Sequence, residues 1–186
     1  MTDSKSLLKI LAAAAVVATA GYAATAAAAL PEGAKAPDFE LKGALAGKPT
    51  TFSLKQALHK GPVVLYFFPA AFTSGCTVEA HDFAEVTDQF KQLGATIIGV
   101  TAGNVDRVAE FSSVECRNKF EVAADPGAKI AARYDAVMPN NNTLSDRTSF
   151  VIAPNGRILM SYTDGNPDAH IQKTLDAVKA YRDSGK

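Results

Sequence analysis

The chain has 186 residues, with 19 Lys plus Arg against 19 Asp plus Glu, so no charge excess points to nucleic acid. Hydrophobic residues make up 47% and charged residues 20%, which argues against a disordered chain and fits one folded domain. His59 and His170 stand isolated, no Cys/His cluster has metal-ligand spacing and no glycine-rich phosphate loop occurs, so no metal, haem or nucleotide cofactor is expected.

In chain order, Lys5 and Lys9 precede a charge-free run over residues 10–30, rich in Ala and Val and ending in small residues. A basic head, an apolar middle and a small-residue exit read as a secretory signal peptide over residues 1–29, cleaved near Ala28 or Ala29. The alternative is an uncleaved N-terminal anchor, since about 20 apolar residues can cross a bilayer. Thr19, Gly21, Tyr22 and Thr25 make that span weak. Either reading places the domain over residues 30–186 in the periplasm or otherwise outside the cytoplasm.

Short extended pieces are expected at 38–41 and 51–54. Residues 63–68 form an unbroken apolar run, a strand buried on both faces, with Pro69 as its stop. A helix over 74–93 follows, with Phe83, Val86, Phe90 and Leu93 at helical spacing and Gly94 as its cap. A second buried strand is expected at 96–101, then a helix over 105–117 with Val108, Phe111 and Val114 inward. A short strand at 121–124 and a short helix at 129–134 come next, then a loop holding Asn140, Asn141 and Asn142. Strands at 150–153 and 158–162 flank the hairpin signal Pro154-Asn155-Gly156, and Asn166-Pro167 opens a last helix through about 182. The order implies an α/β, thioredoxin-like fold, a mixed central sheet with helices on both faces.

The segment Phe68-Pro69-Ala70-Ala71-Phe72-Thr73-Ser74-Gly75-Cys76-Thr77-Val78-Glu79 places a cysteine in the first turn of a helix, just past a buried strand. Free backbone N–H groups and the helix dipole favour a thiolate there, and ligands in α/β sheets gather at strand carboxyl ends. The competing reading is an inert buried thiol.

Pro69-x-x-x-Thr73-x-x-Cys76 resembles the peroxiredoxin active-site motif of the AhpC/TSA superfamily. Gly75-Cys76-Thr77-Val78-Glu79-Ala80 is similar to the Q-type branch, the bacterioferritin comigratory proteins. Asp146-Arg147-Thr148-Ser149-Phe150-Val151-Ile152 resembles the segment that carries the family's active-site arginine, and the likeness covers about residues 34–180. It implies a thiol-dependent peroxidase. Cys76 is then the peroxidatic cysteine, attacking hydrogen peroxide or a small organic hydroperoxide and becoming a sulfenic acid. Arg147 stabilises the thiolate and the lengthening O–O bond. Thr73 offers a hydroxyl to the peroxide, Pro69 shields the sulfur, and the N–H groups of Gly75 and Cys76 help hold the substrate. Glu79 orients Arg147; its alternative reading is an acid favouring the helix dipole. For Arg147 the alternative is a surface ion pair at a strand edge.

The pattern departs from the branch at His81, where many Q-type proteins have a second cysteine; His81 reads as a solvated helix residue. Cys116 is the remaining candidate to resolve the sulfenic acid, one turn beyond the place of the resolving cysteine in another Q-type variant. Its alternative is a small buried apolar residue. Without it, an external thiol completes the cycle. Expected partners are the hydroperoxide and a thioredoxin-like or small-thiol reductant, with the chain a monomer or homodimer. The runner-up is an exported thioredoxin-like thiol:disulfide oxidoreductase, but that chemistry wants Cys-x-x-Cys and the first place is Thr73. A third reading, a binding module on the same fold, needs no reactive sulfur.

Overall fold

A computed structural model describes residues 29–185. The expected signal segment, 1–29, lies almost wholly outside the described residues. No helix among the described residues is long and apolar enough to cross a membrane.

The chain opens with a hairpin, β1 (Glu40–Leu45) and β2 (Lys48–Ser53), and a short helix α1 (Leu54–Leu58). Strand β3 (Val63–Ala70), helix α2 (Ser74–Gln92) and strand β4 (Thr96–Gly103) form a βαβ unit with β3 and β4 parallel. After a 3₁₀ turn come α3 (Val108–Val114), β5 (Glu121–Ala124) and α4 (Lys129–Arg133). A small hairpin, β6 (Val137–Met138) and β7 (Asn141–Ser145), precedes β8 (Thr148–Ile152), β9 (Ile158–Thr163) and the closing helix α5 (Asp168–Asp183). The main sheet runs β2-β1-β5-β4-β3-β8-β9, parallel only across β5-β4-β3. This is the expected mixed sheet.

β3 is the spine because its side chains feed two cores in alternation. Val63, Leu65 and Phe67 join Leu54, Ala131, Tyr134 and Phe150 on the face covered by α1 and α4. Val64, Tyr66 and Phe68 join Phe83, Phe90, Phe111 and Val178 under α2, α3 and α5. These six β3 side chains are all fully buried, as an unbroken apolar run demands. Each such side chain contributes roughly 1.5–3 kcal/mol by leaving water.

Four expectations are corrected. Pro69 does not stop β3, which runs on to Ala70 paired with Gly103. Its missing N–H costs nothing because pairing of β3 with β8 ends at Phe67–Thr148. The helix expected to reach 117 ends at Val114, where Glu115 and Cys116 N–H both donate to Phe111 O and Arg117 and Asn118 turn left-handed. Val114 is consequently 54% exposed rather than inward. Asn141 and Asn142 lie in β7, not in a loop, with Met138 opposite Asn141. Pro167 occupies the cap position rather than the first helical one, and Asn166 Oδ1 accepts from Asp168 N–H.

Candidate active site

β3 and α2 are joined by a tight link at 71–73. Phe72 adopts a left-handed backbone (φ 64°), stabilised by edge contact of its ring with Phe111 and by the Arg107 guanidinium stacked 3.7 Å over it. Asn104 Nδ2 donates to Ala71 O at 2.7 Å, tying the link to the end of β4. The carboxyl ends of β3 and β4 therefore fix where α2 begins.

Thr73 holds the N-cap position of α2 yet makes no side-chain cap. Its hydroxyl instead donates to Ala70 O at 3.0 Å, which leaves the oxygen's lone pairs open to a donor from outside. The first helical bond is Thr77 N–H to Thr73 O, so the N–H groups of Ser74, Gly75 and Cys76 have no helical acceptor. These donors belong to Cys76 and the two residues before it, and Cys76 is 1% exposed. Pro69 sits half-buried at the end of β3, its carbonyl accepting from Thr101 Oγ1 at 3.4 Å.

Arg147 arrives between β7 and β8 and is 6% exposed. Its three donor groups are divided. Nε donates to Gly165 O at 3.0 Å, Nη1 donates to Glu79 Oε2, and Nη2 points at Cys76 Sγ, 3.6 Å away. Gly75 makes the approach possible, because a Cβ there would stand 3.0 Å from Nη2. Arg147 therefore brings Cys76 and Glu79 together, while Thr73 holds the cap of α2 and Pro69 the end of β3 just before them. The surface-pair alternative for Arg147 does not fit this burial, and Glu79, bonded to Arg147, is more than an acid favouring the helix dipole.

Glu79 is wholly buried, and burial pushes its carboxyl up to about 8, against the pull of Arg147. Burial alone would ease the proton off Arg147, but Glu79 and Cys76 outweigh it and raise the guanidinium further. Burial thus weakens the Glu79 charge facing Arg147, whose second amino group, Nη2, is left for Cys76. That removes the objection that an acid one turn from Cys76 would oppose its thiolate.

Cys116 is fully buried just past the end of α3, in the same apolar cluster as Cys76. Burial, then the neighbouring Glu115, pushes its thiol well above the ordinary range. Its segment is clasped to α2 by a polar contact, His81 Nε2 to Glu115 Oε2 at 2.7 Å, and two ion pairs, Glu85–Arg117 at 3.3 Å and Asp88–Lys119 at 3.1 Å. His81 is therefore a paired residue, not merely a solvated one.

His170, read from the sequence as isolated, is instead wholly buried beside the site. Its Nδ1 lies 2.8 Å from Ser149 Oγ and 3.9 Å from Glu79 Oε1, and its Nε2 lies 3.0 Å from Asp164 O. A signal was present: His170 and Thr174 fall on the inward stripe of α5 with Val178, where apolar residues are expected. Among the described residues no cluster of three metal-ligating side chains occurs.

Known proteins resemble the chain over most of its length. The AhpC/TSA family model matches residues 33–161. The chain is 32% identical over 154 residues to peroxiredoxin Bcp of Bacillus subtilis, covering 79% of this chain and 94% of that one. It is 29% identical over 153 residues to the chloroplastic peroxiredoxin Q of Sedum lineare, covering 81% and 79%. Among solved structures it resembles peroxidoxin BcpB of Mycobacterium tuberculosis, with TM-score 0.72, 32% identity and coverage of 80% and 96%. AhpC of the same organism shares the fold at TM-score 0.73 with 18% identity. The chain belongs to the AhpC/TSA family, and within it to the peroxiredoxins of the Bcp and Q kind.

Proposed function

We propose that the chain is a thiol-dependent peroxidase whose nucleophile is Cys76. The observation that carries this reading is the Arg147 Nη2 group aimed at the buried sulfur from 3.6 Å. The Cys76 thiolate attacks the terminal oxygen of a hydroperoxide. An S–O bond forms, the O–O bond breaks, and the departing oxygen takes a proton to leave as water or an alcohol, with Cys76 left as sulfenic acid. Arg147 and the free N–H groups at the start of α2 stabilise charge on both oxygens, and the open lone pairs of Thr73 receive the peroxide O–H. The nearly sealed sulfur restricts the substrate to hydrogen peroxide and small organic hydroperoxides.

Recycling takes one of two routes. A Cys76–Cys116 disulfide requires the segment after α3 to unwind, since Cys116 is buried and its segment is clasped to α2. Otherwise an external thiol reduces Cys76 directly. In either case the electrons come from a thioredoxin-like donor or a small thiol. The basic, then apolar, then small-residue leader supports export to the periplasm, as a monomer or homodimer.

Purified protein lacking residues 1–29 should consume hydrogen peroxide with a thiol donor and fail to reduce insulin, and Cys76→Ser should abolish the peroxide reaction. Insulin reduction without peroxide loss would favour a disulfide oxidoreductase. Peptide mass spectrometry after one equivalent of peroxide should reveal a Cys76–Cys116 bond that Cys116→Ser lacks. A persistent sulfenic acid with undiminished turnover selects the one-cysteine route.

A further inference from the structure

Phe72 turns the chain from β3 into α2, and it does so at a backbone cost. Its φ of 64° lies in the left-handed region, which a bulky L-residue keeps only where its neighbours hold it there. Before it, Ala71 N–H donates to Gly103 O at 3.2 Å, and Ala71 O accepts from Asn104 Nδ2 at 2.7 Å. After it, Thr73 Oγ1 donates to Ala70 O at 3.0 Å. These bonds fix the residues on either side and leave the Phe72 ring to Phe111 and Arg107. The Phe111 ring meets it edge-on with centroids 5.2 Å apart, and the Arg107 guanidinium carbon stands 3.7 Å from its centroid. Arg107 is held in turn, since its Nε and Nη2 both donate to Glu110 Oε2, at 3.1 and 2.9 Å.

We propose that Arg107 is a positioning residue of the peroxidatic site, holding Phe72 in its left-handed turn so that the first turn of α2 stays wound beside Cys76. The inference rests on the peroxidase reading of Cys76. Thr73 follows Phe72 directly. Its carbonyl accepts the first helical bond from Thr77 N–H at 2.9 Å, and the free N–H groups of Ser74, Gly75 and Cys76 lie between them. A Phe72 relaxed to extended backbone sends Thr73 and those N–H groups off in another direction. Left-handed backbone at a non-glycine residue and a cation over an aromatic ring are opposing effects of the same order. Removing the cation therefore brings the held and relaxed links to comparable populations. Arg107 acts through the ring, whereas Arg147 acts on the sulfur itself.

Arg107→Gln removes the charge at an exposed position, where substitution costs the fold little. Amide exchange reads the link without peroxide. Thr77 N–H, which closes the first turn of α2, should exchange about fivefold faster in Arg107→Gln, with Phe83 further along the helix unchanged. Peroxide consumption should slow about three- to tenfold. Arg107→Lys, which returns a cation to the ring, should recover most of both losses. In a Phe72→Leu background, where no ring remains to be held, Arg107→Gln should change the peroxide rate by less than about 1.5-fold. Unmoved Thr77 exchange in Arg107→Gln, an unchanged peroxide rate, or equal losses with and without the Phe72 ring overturns the proposal. Peroxide consumption by the unsubstituted protein decides the peroxidase reading separately, because Thr77 exchange reports the link whether or not Cys76 reacts.

Discussion

Replacing Arg147 by methionine removes the guanidinium while keeping a side chain of similar reach. The contacts to Cys76 Sγ, Glu79 Oε2 and Gly165 O disappear together. Loss of one charge-assisted donor aimed at the reacting atoms corresponds to about 3–4 kcal/mol, a 10²- to 10³-fold slower peroxide reaction. Stability should carry a separate signature in pH. Glu79 sits at about 8 in the folded protein against 4.5 unperturbed. A raised folded value means its favourable contribution is complete below the unfolded value and is lost as pH climbs through the folded one. Without Arg147 the folded value climbs further. Parent and variant should then weaken in parallel up to about pH 8. Above it the variant alone should go on losing about 1.4 kcal/mol per pH unit. Competition kinetics with hydrogen peroxide measure the first effect, and urea unfolding at about pH 6 and about pH 9 measures the second. A peroxide rate within threefold of the parent, or a stability gap that is the same at both pH values, would refute the reasoning.

Thr73→Val should slow the peroxide reaction about tenfold by deleting one hydrogen-bonding oxygen, with Thr73→Ser near the parent rate; equal rates for all three would exclude the hydroxyl from the reaction. Gly75→Ala should leave thermal stability nearly unchanged, alanine being the better helix former, yet slow the reaction because its Cβ meets Arg147 Nη2. Normal kinetics in this variant would show that the guanidinium does not need that approach. Gly99→Ala drives a methyl to within 2.7 Å of the buried Tyr66 ring and should cost about 1–3 kcal/mol in unfolding experiments, without altering the pH profile of Cys76 alkylation.

The elements that were legible in the sequence are those whose signals are local. The unbroken run at 63–68 announced a two-sided strand, and Cys76 just past it announced a helix-start thiol. What escaped was decided by tertiary partners. Pro69 is tolerated because no strand lies where its N–H would point, which no window of sequence records. α3 ends early because carbonyl 111 captures the N–H groups of both Glu115 and Cys116. His81 and His170 looked unattached because their partners are distant in the chain: Glu115 for the first, and Ser149 and Asp164 for the second.

Both sulfurs are shut away from solvent to the same degree, yet they face opposite neighbours: a guanidinium beside Cys76, a carboxylate beside Cys116. A small electrophile entering the folded protein therefore meets one sulfur beside a cation and the other beside an anion. Burial being common to both, the sign of the neighbouring charge is what tells the two sulfurs apart.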